Sequence, residues 1–157
     1  MFKQLKEELG WPAFSASQFF REYSRQHQVS LEKAEEQSEK VSNEVDFSMK
    51  EMVKAEGNLI LEGWLAGYMA REETDVLRVL LTCNDEERFV RFSRRDKLPL
   101  AEAKEKIEMR EKNLFTKLQS IYGPVDFLHP QYFNHTVDTS TLSTRDVVQS
   151  ILAQLAA

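Results

Sequence analysis

Phe2, Leu5 and Leu9 recur at helical spacing and Gly10 follows as a stop, so the chain is expected to open with a helix. Trp11–Ser15 reads as a short strand with Pro12 at its entrance, where a missing N–H is tolerated. Ser17 is a candidate N-cap for a helix that carries Phe19, Phe20 and Tyr23 on one side and Arg21 and Arg25 on another. Ser30 starts a second cap signal ahead of Leu31–Lys40, which is charged nearly all round, as a solvated helix face is. Val41–Lys54 continues as helix with Val45, Met49, Met52 and Val53 inward, and Gly57-Asn58 ends it. Leu59-Ile60-Leu61 then runs unbroken into Glu62 and Gly63, the pattern of a strand buried on both faces in a parallel sheet.

The second half repeats the alternation. Tyr68–Glu73 is helical or irregular, and Asp75–Cys83 is a further buried strand, rich in Val and Leu. Asn84 or Asp85 caps a helix over Glu86–Arg95 that bears Arg88, Arg91, Arg94 and Arg95. Pro99 marks a break, after which Ala101–Ile121 forms one long charged helix ended by Gly123-Pro124. Tyr132–Asp138 is a last short strand. Leu142–Ala156 is a closing amphipathic helix, capped by Ser143 or Thr144, with Val147, Val148, Ile151, Leu152 and Leu155 as its stripe. Strands alternating with helices predict an α/β fold with a parallel sheet, helices on both faces and helical insertions.

Composition narrows the classes. At 157 residues the chain is one domain by size, and 41% apolar with 30% charged residues describes a soluble globular protein. A net charge of −5 argues against a general nucleic-acid binder. No apolar stretch spans a bilayer and no leader core opens the chain, which together with a single cysteine, Cys83, points to the cytoplasm. Cys83 itself is expected in the core. His27, His129 and His135 are too scattered for a zinc site.

Four motifs, in order, resemble the nucleoside monophosphate kinases, most closely cytidylate kinases of the archaeal type. They are Ser15-Ala16-Ser17-Gln18-Phe19-Phe20-Arg21; Leu61-Glu62-Gly63 with Leu65-Ala66-Gly67; Arg91 and Arg95 followed by Arg110-Glu111 and Ile121-Tyr122-Gly123; and Val137-Asp138-Thr139. The resemblance implies a P-loop kinase core (1–16, 57–90 and 124–157), a helical monophosphate-binding insert (17–56) and a helical lid (91–123). It implies transfer of a phosphoryl group from ATP, with Mg²⁺, to CMP or dCMP. Phosphoryl transfer rests on positioning and charge neutralisation, for which guanidinium groups are suited. By resemblance Arg21 holds the monophosphate, Ser15 and Gly63 line its pocket, and Asp46 belongs to the base-recognising insert. Glu62 orients water around Mg²⁺ as an outer-sphere acid, with no direct metal ligand implied. Arg91, Arg95 and Arg110 close over the triphosphate, and Lys117 stands at a further lid arginine.

Taken without the resemblance, Arg88, Arg91, Arg94 and Arg95 read as a solvated face paired with Glu86, Glu87 and Asp96; with it, Arg88 and Arg94 keep that surface reading. Likewise Asp46 reads as a surface or capping residue and Trp64 as packing. The sequence also departs from the family. No G-x-x-x-x-G-K-[S/T] run occurs in it, Trp64 follows Glu62-Gly63 where an Arg is usual, and Ser17 replaces a Gly. The expectation is a truncated product or a decayed paralogue, inactive as it stands. Two strands are expected to lack a ladder partner, an edge through which copies could associate. A cytidylate-kinase-like enzyme, a catalytically dead nucleotide-binding or scaffold relative, and a non-functional fragment remain as alternatives.

Overall fold

The computed structural model describes residues 1–30 and 39–156. The helix expected from Ser30 through Lys40 therefore lies mostly outside the described residues. Helices α1 (Phe2–Leu9), α2 (Ala16–His27), α3 (Glu39–Lys54), α4 (Ala66–Met69), α5 (Asp85–Asp96), α6 (Leu100–Tyr122) and α7 (Thr144–Leu155) alternate with four strands. The strands are β1 (Ala13–Ser15), β2 (Ile60–Glu62), β3 (Val79–Thr82) and β4 (His135–Asp138). The class is mixed α/β with parallel pairing, as the pattern predicts.

The single expected sheet is in fact two. Among the described residues β1 pairs only with β2, setting Ser15 opposite Glu62, and β3 only with β4, setting Thr82 opposite Asp138. Among the described residues nothing is laddered to the other edges of β2 and β3. The strands are also shorter and less buried than their apolar runs suggest. Only Ile60 in β2 and Leu80 in β3 are buried, and Leu81 is 37% exposed. Asp75–Arg78 does not join β3, although the Arg78 carbonyl accepts from the His135 N–H at the start of β4 at 3.1 Å. The Arg78 N–H donates to Asn134 Oδ1 at 2.7 Å and its guanidinium to the carbonyls of Tyr132 and Ala70 at 3.0 and 3.3 Å. Likewise Pro130–Tyr132 closes a 3-10 turn, so β4 begins only at His135.

Two cores hold these pieces. One gathers Leu5 of α1, Ile60 of β2, Val137 of β4 and the stripe Val147, Val148 and Ile151 of α7. The other joins Ala16, Val45 and Met49 to Leu65, Leu118 and Phe127. It thus packs α2 and α3 against the C-terminal half of α6. Met52 and Val53, expected inward, are only half-buried; the buried face of α3 is Ser42, Val45, Asp46 and Met49. Local signals hold well at the ends of helices. Gly10 takes the left-handed conformation after α1, with φ 66° and its N–H on the Lys6 carbonyl. Asn84 caps α5, and Ser143 caps α7 in a capping box with Asp146. At Gly67 the ring of Phe133 lies so close that a Cβ would stand 2.2 Å from its Cε1.

Candidate functional site

The site is assembled at the turn from β1 into α2. The N-cap of α2 is Ser15 rather than Ser17: Ser15 keeps extended backbone, and its Oγ accepts from the Gln18 N–H. Ser17 therefore falls within the first turn. Because β1 lies parallel to β2, Ser15 reaches Glu62, and both Ser15 and Ser17 donate to Glu62 Oε2, Ser17 at 2.8 Å. Ser15 is 6% exposed and lies outside the lining of either cavity described below. Glu62 is likewise outside both linings.

A cavity of about 90 Å³ opens beside this turn. Its floor is apolar, with Phe20, Met49, Leu65 and Leu118, and its polar groups include Ser17, Ser42, Asp46, Lys117 and Arg110. Gly63 is part of the wall, where a Cβ would stand 3.1 Å from Ala16 Cβ. Asp46 is not at the surface as the isolated residue suggests. It is 7% exposed and accepts from the Tyr122 hydroxyl at 2.6 Å. Burial raises the Asp46 carboxyl above its ordinary value, and the Tyr122 hydrogen bond and the Lys117 charge oppose that rise. Burial and the Asp46 carboxylate together push the Tyr122 phenol up.

A larger cleft of about 400 Å³ lies alongside, lined by Arg21, Arg88, Arg91, Arg95 and Arg110. Ser17, Trp64 and Arg110 line both spaces, so the two meet there. Trp64 sets its ring edge-on to Phe115 with centroids 5.3 Å apart, the packing role expected of it, while still facing both spaces. Arg91 is braced: Nε bonds Glu87 at 2.8 Å and Nη2 bonds the Thr139 carbonyl at 2.7 Å, tying α5 to the loop after β4. Arg95 pairs with Asp96 at 2.6 Å, and with Arg21 and Lys106 it holds the Asp96 carboxyl below its usual value. Cys83, expected in the core, is half-buried and lines this cleft.

Arg88 departs from the solvated-face expectation. Its guanidinium reaches across to Glu111 of α6 and back to Asp85 at 2.9 Å. Among the described residues, Arg88 Nε is the one buried side-chain nitrogen or oxygen with no hydrogen-bond partner. The partners inferred from sequence for Arg88 were neighbours along α5. The actual partner Glu111 is 23 positions away, beyond the reach of helical spacing. Ser42 and Tyr122 were also missed as site residues. Ser42 had a signal, since it precedes Asp46 by one helical turn on the face of Val45 and Met49.

The structure thus brings Asp46, Gly63, Lys117 and Arg110 together in one space and Arg21, Arg91, Arg95 and Arg110 in the next. An apolar cavity with a buried acid, continuous with a guanidinium-lined cleft, is suited to a small molecule that is part flat ring and part phosphate. A model of the cytidylate kinase-like family matches residues 2–141. The chain belongs to that family, on the branch of the archaeal-type cytidylate kinases. It is 34% identical over 156 residues to the cytidylate kinase of Ignicoccus hospitalis, covering 98% of this chain and 89% of that protein. It is 31% identical to the cytidylate kinase of Methanopyrus kandleri, covering 97% and 83%, and 26% identical to that of Desulfurococcus amylolyticus, covering 98% and 85%.

Proposed function

We propose that the chain carries the monophosphate-binding insert and lid of a cytidylate kinase, with CMP or dCMP as phosphoryl acceptor and ATP as donor. The observation that carries this reading is the pair of spaces meeting at Ser17, Trp64 and Arg110. The nucleobase enters the cavity of Asp46, and the phosphates lie in the arginine cleft. There Arg21 holds the monophosphate, while Arg91, Arg95 and Arg110 neutralise charge that develops during transfer. Lys117 keeps a positive charge beside Asp46 without the bidentate fork of an arginine. Since α5 and α6 carry most of the cleft, their movement as a lid would exclude water from the transferring group. Lid, insert and core follow the boundaries 91–123, 17–56 and the remainder.

Mg²⁺ would enter with ATP. Among the described residues no group of three or more His, Cys, Asp or Glu could hold a metal ion, so a cage made of protein alone does not fit. Glu62 does fit an outer-sphere role. Its two hydroxyl donors sit on Oε2, and Oε1 takes no part in those bonds, leaving an acceptor for a water of the hydrated ion. The ion would supply neutralisation of the triphosphate; Ser15 and Ser17 hold the Glu62 carboxylate in place. Among the described residues no helix is long and apolar enough to cross a membrane, in keeping with a cytoplasmic setting for such an enzyme.

These 157 residues include no G-x-x-x-x-G-K-[S/T] run to cradle the ATP phosphates, and we infer that they bind CMP without turning it over. A second reading, a nucleotide-binding relative without catalysis, is favoured by Trp64 after Glu62-Gly63 and by Lys117 at a lid arginine. A coupled assay of ADP formation with CMP, dCMP, UMP and AMP separates the two. It is run on the chain alone and on the chain preceded by a strand and phosphate loop. Turnover of CMP by the extended protein supports the enzyme; absence of turnover with all four supports the second reading.

A further inference from the structure

Asp46 is a costly residue to bury, and the surroundings show how the cost is met. The carboxylate lies on α3 in an apolar cavity and is 7% exposed. The Tyr122 hydroxyl, from the last turn of α6, bonds its Oδ2 at 2.6 Å. Tyr122 is in turn held by aromatic packing, edge-on to Phe127, which is 1% exposed. The phenol therefore has little freedom, and the carboxylate it holds is fixed in rotation. With Oδ2 engaged, Oδ1 is the oxygen left to accept a hydrogen bond from a ligand in the cavity.

A carboxyl oxygen held in a desolvated site discriminates by donor pattern. Cytosine presents an exocyclic amino group where uracil presents a carbonyl oxygen. An amino group facing Asp46 gains a charge-assisted hydrogen bond, whereas a carbonyl oxygen there faces a carboxylate without a proton between them. We propose that Tyr122 is a positioning residue that locks Asp46 as the acceptor for the amino group of cytosine, and that this pair makes the cavity choose CMP over UMP. The proposal rests on the reading of the cavity as the monophosphate base site. Among the described residues, the other charged or titratable groups lining the cavity with Asp46 are Lys117 and Arg110 from α6, with Tyr68 beyond Tyr122; α2 contributes none to the lining, and α3 none besides Asp46 itself. Burial disfavours the ionised carboxyl, and the Tyr122 hydrogen bond and the Lys117 charge oppose that effect.

The test is calorimetric titration of the 157-residue protein with CMP and with UMP, in wild type, Tyr122→Phe and Asp46→Asn, at neutral and at mildly acidic pH. Wild type is expected to prefer CMP by about tenfold or more, the worth of one charge-assisted hydrogen bond. Asp46→Asn, whose amide can turn either its oxygen or its NH₂ to the base, brings the ratio close to one. Tyr122→Phe lowers the ratio by about threefold to tenfold. It also moves the loss of CMP preference on acidification to higher pH, because Asp46 has lost the hydrogen bond that favours its ionised form. Using the ratio of the two ligands cancels any loss of folded protein. A Tyr122→Phe variant that weakens CMP and UMP equally, with an unchanged pH profile, would make Tyr122 merely structural and overturn the proposal. Wild type that binds CMP and UMP equally overturns the role of the pair, while wild type that binds neither overturns the base-site reading on which it stands.

Discussion

At the scale of single residues, burial decides what Asp46, Arg88 and Gly67 do. Asp46 has a carboxyl raised by burial, with partial relief from Tyr122 and Lys117. A carboxyl whose folded value exceeds its unfolded one adds stability below the ordinary value near 3.8 and loses it as pH rises through the folded value. Asp46→Asn has no such dependence. The variant should gain on wild type in urea unfolding as the pH is raised from strongly acid to neutral; a gap that stays constant would show that burial does not govern this group. Gly67 is required by contact rather than by backbone conformation. Gly67→Ala drives a Cβ into Phe133 and is expected to cost about 1–3 kcal/mol, recovered in part by Phe133→Leu, as chemical denaturation would measure. Arg88 carries the opposite lesson to the helical-wheel reading. A side chain on a charged face becomes part of a site when a distant acid, Glu111, draws it across.

Among the elements, helix ends were the most legible features and strand ends the least. Capping is a matter of a few adjacent residues, so Gly10, Asn84 and Ser143 could each be read locally. At α2 the cap moved by two positions to Ser15, because β1 continues up to that residue and leaves it extended while Ser17 is already helical. Ser143→Ala removes one hydroxyl that serves both the Asp146 N–H and the Asp146 carboxylate, and should lower stability by about 1 kcal/mol in thermal or urea unfolding. The strands shrank because their pairing depends on residues far along the chain: at Arg78 the backbone N–H goes to the Asn134 side chain rather than to a strand. Helix α5 illustrates divided labour. Arg91 spends much of its guanidinium on Glu87 and the Thr139 carbonyl, so Arg91→Ala should reduce both stability and phosphate affinity. Arg21, which lines the same cleft from α2, is expected to affect affinity for CMP by about tenfold with little change in melting temperature, a contrast that calorimetry and thermal unfolding resolve.

For the whole molecule, the arrangement is two parallel pairs, β1–β2 and β3–β4, sharing helices and two cores. Among the described residues nothing is laddered to the second edge of β2 or of β3, and Leu81 is exposed in β3. Such edges invite pairing with another chain. Sedimentation should show association that grows with concentration, and Leu81→Lys should weaken it while leaving the helical circular dichroism intact; a strictly monomeric wild type would remove the edges as a route to assembly.

The sequence by itself determined the alternation of helices and strands, the stop at Gly10 and the cap positions of α5 and α7 to within a residue, the family motifs and the cluster of four arginines on α5. These depend on spacing and on neighbours a few positions apart, where helical period and turn chemistry act. Only the tertiary structure decided that Asp46 is buried, that Tyr122 holds it from 76 residues away, that Arg88 faces a cleft, and that Ser15 and Ser17 share Glu62. Those facts come from elements packed against one another. Burial and long-range hydrogen bonds, which set the chemistry of an acid or a guanidinium, are properties of that packing and have no periodic trace along the chain.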